Sequence, residues 1–150
     1  MSEPIEGMES ENQQYSISRV IKAPVGQVWN FWTDPEHLQH WFCPKSFKIL
    51  NIEIDLRVGG AWSVRMQGPD ESTHCTSGVF QQLNELSLLE FTQSWEDSEH
   101  QSLVTVELTA QGDETNLVFT QSELESKESR DSQAEGWSEA LDNLASYINS

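Results

Sequence analysis

His37, His40 and Cys43 follow one another at intervals of three residues, and a second His-Cys pair stands at His74-Cys75. Imidazole and thiolate are the usual ligands of zinc, so the spacing raises a metal site. The pattern stops short of one. Structural zinc draws on closely paired ligands, and neighbours in a strand point to opposite faces, which separates His74 from Cys75. No metal and no cofactor are expected. The chain has no G-x-S-x-G, no H-E-x-x-H and no Walker loop, and Gly59-Gly60 reads as a turn. Arg65 and His74 fall on neighbouring predicted strands, where they could orient a ligand carbonyl or exchange a proton with it. The plainer reading leaves both exposed on the sheet, because Arg65 alternates with Trp62, Val64 and Met66 and points out if they point in. No catalytic residue is assigned.

Aromatic chemistry is the stronger signal. "WNFWTDPEHLQHWFCP", Trp29 to Pro44, carries three of the six tryptophans together with Phe31 and Phe42. Aromatics at helical and strand spacing fill cores. An indole, however, keeps a polar N–H on an apolar body, which suits a pocket wall better than a dry core. The expected ligand-binding set is Trp29, Trp32, Trp41, Phe42, Trp62, Val64, Met66, Phe91, Trp95, Phe119, Trp137 and Leu141. It would take a hydrophobic or aromatic small molecule.

The elements that must position these residues follow from periodicity. Residues 1–14 are acidic with little apolar content and read as a disordered tail. "YSISRVIKA" alternates as a strand, with Tyr15, Ile17, Arg19 and Ile21 on one face. Pro24 suits the first turn of a helix whose apolar stripe is Val25, Val28, Trp29 and Trp32. Asp34 and Pro35 then cap a second short helix carrying Leu38, Trp41 and Phe42, so the aromatic stretch is an elbow of two helices. Six strands at short spacing come next: "FKILNIEID", "AWSVRMQ", "THCTSGVFQQL", "LLEFTQSW", "SLVTVELTA" and "TNLVFTQ". They are separated by turn signals such as "GPDES", "NELS" and "QGDE", which predicts an antiparallel meander. Ser132 and Glu135 have capping-box spacing, predicting a final helix over about 132–149 with Trp137, Ala140, Leu141, Leu144, Ala145 and Ile148 as its stripe. The order β-α-α-β6-α predicts an α+β fold. A curved antiparallel sheet of about seven strands wraps a long C-terminal helix in one domain over 15–150, with space left between them.

The balance of charge narrows the partners. With 25 acidic and 8 basic residues the net charge is -17, so nucleic acid and anionic membrane surfaces are excluded as partners. No apolar run approaches the roughly 20 residues that span a bilayer. No cationic segment followed by an apolar run begins the sequence, so a cytoplasmic location is expected, with Cys43 and Cys75 as free thiols rather than a disulfide. A protein partner stays open, as does monomer against homodimer.

Taken in order, "APVGQVWNFWTDPEHLQHWF", "GGAW", "GPDES" with "SGVF", "LLEFTQSW" and "GWSEALDNLASYI" resemble the helix-grip superfamily of START and Bet v 1-like (SRPBCC) domains. Within it the chain is most similar to the family named for the activator of the heat-shock-protein-90 ATPase. The resemblance spans about Tyr15 to Asn149. It implies the helix-grip fold, whose members serve transport, cyclisation, resistance and co-chaperone roles. A cyclase- or hydratase-type enzyme using the same cavity and a co-chaperone-like interaction module therefore stand beside ligand binding. The eukaryotic co-chaperone has a separate N-terminal docking domain with no counterpart in this sequence. This chain alone is accordingly expected not to stimulate the chaperone ATPase strongly. Where the family often ends its last strand with a histidine, this chain reads "FTQSEL".

Overall fold

The computed structural model describes residues 14–42, 46–96 and 98–149, so nearly all of the expected acidic tail and Cys43 lie outside the described residues. The elements are β1 (Tyr15–Ile21), α1 (Val25–Thr33), α2 (Pro35–Leu38), β2 (Lys48–Ile54), β3 (Ala61–Gln67), β4 (Thr73–Asn84), β5 (Leu88–Trp95), β6 (Ser102–Gln111), β7 (Glu114–Ser122) and α3 (Lys127–Asn149). The strands form one seven-stranded antiparallel sheet in the order β1-β7-β6-β5-β4-β3-β2. β1 closes against β7, the end of the meander, with Tyr15 opposite Gln121 and Ile21 opposite Thr115. Register shifts between Ile49 and Asn51 in β2, and between Phe80 and Gln82 in β4, bend the sheet into its curve.

Strict alternation turns one residue in two onto the concave face. Leu89, Phe91 and Gln93 of β5, Val104, Val106 and Leu108 of β6, and Leu117, Phe119 and Gln121 of β7 are all buried there. Gly78 shows how tightly that face is built. A Cβ on it would sit 2.7 Å from the Trp62 indole nitrogen and 1.7 Å from the Thr92 carbonyl oxygen. Only glycine lets the indole of β3 cross β4 and donate to Thr92 O on β5, at 3.1 Å.

α1 buries Val28, Trp29, Phe31 and Trp32, so its stripe gains Phe31, while Val25 is only half-buried. Asp34 caps α2 as expected, its carboxylate accepting from the Glu36 N–H at 3.0 Å, and Pro35 opens the helix.

The C-terminal helix departs from the sequence reading. It begins at Lys127 rather than near Ser132. Ser126 supplies the cap, its Oγ accepting from the Ser129 N–H at 3.0 Å. The first turn and a half, "KESRD", is almost wholly polar and carries no apolar period, which hid it. Five more residues of helix place Ser132 inside α3 rather than at its cap, and Ser132 and Gln133 lie on the side facing the sheet.

Candidate functional site

Between the sheet and α3 lies a cavity of about 270 Å³. Phe42, Phe47, Met66, Trp95, Trp137 and Ala140 give it apolar walls, and His74, Gln93, Ser132 and Gln133 form its polar side. Gly136 of α3 also faces it, and a Cβ added there would meet nothing within 4 Å. The polar side opens into a vestibule of about 530 Å³, which shares His74, Gln93, Trp95, Ser132 and Gln133 and is rimmed by Glu96, His100 and Glu125. A separate void of about 30 Å³ lies among Trp32, Phe42, Trp62, Val64 and Phe91.

Of the twelve residues expected to bind ligand, Phe42, Met66, Trp95 and Trp137 stand on the cavity wall. Trp32, Trp62, Val64 and Phe91 line the smaller void instead. Trp29, Trp41, Phe119 and Leu141 are buried in the core and line neither space. Trp41 is a core residue. It is 1% exposed, meets the Trp32 ring edge-on at 4.7 Å, and donates its indole N–H to the Phe31 carbonyl at 3.0 Å. Phe42 meets both Trp137, at 5.3 Å, and Trp62, at 6.4 Å. Phe42 lines both the cavity and the smaller void.

Strand pairing settles Arg65 and His74, which do not meet in the cavity. Arg65 lies opposite Cys75 and is exposed, whereas His74 lies opposite Met66 on the cavity side. Ser72 Oγ sits 2.6 Å from Asp70 Oδ1 and 3.0 Å from His74 Nε2. The side-chain and backbone hydrogen bonds from Ser72 hold the Asp70 carboxyl below its ordinary pKa. The carboxylate therefore takes the one hydroxyl proton of Ser72, and Ser72 accepts from His74 Nε2–H, leaving Nδ1 with the lone pair when the ring is neutral. Cys75 is a free thiol.

His37 and His40 pack against Tyr147 of α3. His37 Nδ1 lies 2.9 Å from the Tyr147 hydroxyl, and the His40 ring stacks on Tyr147 at 5.1 Å. Among the described residues no cluster of His, Cys, Asp or Glu is placed to hold a metal ion.

The sequence reading missed the glutamines. Gln93, 3% exposed, and Gln121, fully buried, sit among apolar neighbours at the polar end of the cavity. Trp137 Nε1, which can only donate, is 3.3 Å from Gln93 Oε1. Gln121 Nε2 reaches Gln93 Oε1 at 3.1 Å, Ser102 Oγ at 2.9 Å and Gln133 Oε1 at 2.8 Å. The Tyr15 hydroxyl donates to Gln121 Oε1 at 2.5 Å, and burial raises the Tyr15 pKa far above its ordinary value. Alternation carries the signal for two of the three glutamines, since Gln93 shares a face with Phe91 and Trp95, and Gln121 with Leu117 and Phe119.

A curved antiparallel sheet closed by a long C-terminal helix, with a part-apolar cavity between them, is the architecture of a helix-grip protein. The chain belongs to the family described as activator of Hsp90 ATPase homolog 1-like protein, whose profile matches residues 22–149; this family lies in the SRPBCC superfamily. Solved structures of similar fold include a protein of Chromobacterium violaceum, 22% identical with a TM-score of 0.84 over 92% of this chain and 98% of that one. An AHSA1 protein of Silicibacter pomeroyi is 20% identical, with a TM-score of 0.80 over 91% and 97%. An AHSA1-like protein of Aeromonas hydrophila is 24% identical, with a TM-score of 0.79 over 91% and 92%. No curated protein matches the sequence. No described helix is long and apolar enough to cross a membrane.

Proposed function

We propose that this chain binds a hydrophobic or aromatic small molecule in the cavity between the sheet and α3. The observation that carries the reading is the cavity itself, about 270 Å³ walled by Phe42, Phe47, Met66, Trp95 and Trp137. Close packing is the rule in protein interiors, and a space of this size left between a sheet and its covering helix is what a ligand site requires. Burial of a two-ring aromatic would gain roughly 25 cal/mol for each Å² of apolar surface removed from water. A co-chaperone role of the kind in the family's description would need no such space, so the cavity favours ligand binding over it. Two measurements test the reading. Native mass spectrometry of the freshly purified chain should show added mass that disappears on denaturation. Calorimetric titration of the stripped protein with 2-isopropylnaphthalene should show saturable binding. A chain without adduct that also gives no heat up to high micromolar hydrocarbon would contradict it.

A further inference from the structure

The polar end of the cavity is a hydrogen-bonding device with two donors to spare. The indole of Trp137 can only donate, so its contact at 3.3 Å fixes Gln93 with Oε1 toward Trp137. The same oxygen then takes a hydrogen from Gln121 Nε2, which leaves Gln121 Oε1 for Tyr15 and turns Gln133 Oε1 toward Gln121. One donor-only group thus orients three amides. Counting hydrogens outward, Gln93 Nε2 spends one on Thr76 Oγ1 at 3.1 Å. Gln133 Nε2 spends one on Ser129 Oγ at 3.1 Å. Each amide nitrogen carries a second hydrogen with no acceptor among the described residues, and both side chains line the cavity and its vestibule. Gln93 is buried and Gln133 half-buried, and a single ligand oxygen, with two lone pairs, can take a hydrogen from each. The described lining residues of both spaces include no lysine or arginine, while Glu96 and Glu125 stand at the vestibule rim. A carboxylate would meet like charge there.

We propose that the cavity selects a neutral aromatic molecule whose polar end carries a carbonyl oxygen that accepts from the free N–H groups of Gln93 and Gln133. This rests on the cavity being a ligand site. The rings would lie among Phe42, Met66, Trp95 and Trp137, and the oxygen would point toward the vestibule.

The test uses three probes of nearly one shape: 2-acetylnaphthalene, its hydrocarbon counterpart 2-isopropylnaphthalene, and 2-naphthoate. Calorimetry on the full chain should rank the ketone about tenfold tighter than the hydrocarbon, the scale of one to two neutral hydrogen bonds, with the naphthoate weakest. Gln133→Met should remove most of the ketone's advantage and leave the hydrocarbon within about twofold. That variant should fold, because Gln121 has two hydrogens and keeps two acceptors, Gln93 and Ser102. Gln133→Glu provides a second route, since it keeps an oxygen facing Gln121, loses the donor, and should also weaken the ketone selectively. Hydrocarbon and ketone binding equally, naphthoate binding tightest, or both variants weakening ketone and hydrocarbon alike would overturn the carbonyl assignment while leaving the ligand site standing. None of the three probes binding would overturn the ligand site, and the assignment with it.

Discussion

The two ends of the concave face are built from the same residue types and do opposite things. At the elbow end, Trp32 meets Trp41 edge-on and stacks on Phe119 from the sheet, in one core with Trp29 and Phe31. The space beside Trp32 is closed down to a void of about 30 Å³. At the other end Trp95 and Trp137 flank an open cavity nine times larger, about 270 Å³ against 30 Å³. Indole partners mark the difference. Trp41 and Trp62 donate to backbone carbonyls, of Phe31 and Thr92, which fixes each ring in the scaffold. Trp137 donates to a side chain, Gln93, that also faces the cavity. Trp32 Nε1 is buried with no acceptor, the one such side-chain atom found among the described residues. A tryptophan count therefore does not locate a site. For Trp41, Trp62 and Trp137 the group that takes the N–H, backbone carbonyl or cavity side chain, separates scaffold from cavity wall.

Substitutions at the two ends should separate in size and in kind. Trp41→Ala should give the largest loss, about 3–5 kcal/mol in urea unfolding, because the ring is fully packed and the Phe31 carbonyl loses its donor. An effect below about 1 kcal/mol would mean the elbow is looser than described. Gln121→Leu comes next, at about 1–3 kcal/mol, since the Tyr15 hydroxyl and Gln93 Oε1 lose a buried partner. A neutral result would show that the amide chain contributes nothing to the fold. Trp95→Ala, half-buried on the cavity wall, should cost only about 1–2 kcal/mol while weakening 2-isopropylnaphthalene clearly. Equal effects of Trp41→Ala and Trp95→Ala on both readouts would erase the distinction between the two ends. The smallest effect is one of pH. The Tyr15 phenol stays neutral in the folded chain beyond its ordinary value of 10.0, whereas the unfolded chain loses that proton as pH rises past it. The unfolded state then binds fewer protons, so stability falls above that value. Tyr15→Phe should remove this part of the alkaline loss, as seen in unfolding midpoints compared across that range.

Most of the fold was legible in the sequence, because alternation and turn chemistry are local. The strand faces of β1, β5, β6 and β7 and the cap at Asp34 follow from spacing alone. The start of α3 was not, because Lys127 to Asp131 lack the apolar period that marks a helix and the capping Ser126 precedes a polar turn. The candidate site was legible only in part. Met66, Trp95 and Trp137 follow from apolar faces. Whether Trp29 and Trp41 close on a core or border a cavity depends on how far the elbow swings, which periodicity does not encode. Gln93 and Gln121 were visible as polar residues on apolar strand faces. Gln133 stands one turn before Trp137 on the same face of the expected helix, a polar residue on an apolar stripe.

Gly136 offers the most direct test of the ligand cavity. It sits inside α3, where glycine is about 1 kcal/mol worse than alanine, and its missing side chain opens onto the cavity with nothing within 4 Å. Gly136→Leu should therefore fill the space while leaving the melting temperature unchanged or raised. Titrated with 2-isopropylnaphthalene, the wild type should bind saturably and the variant should not. Binding by Gly136→Leu as tight as wild type, or no binding by the wild type at high micromolar probe, would contradict the account.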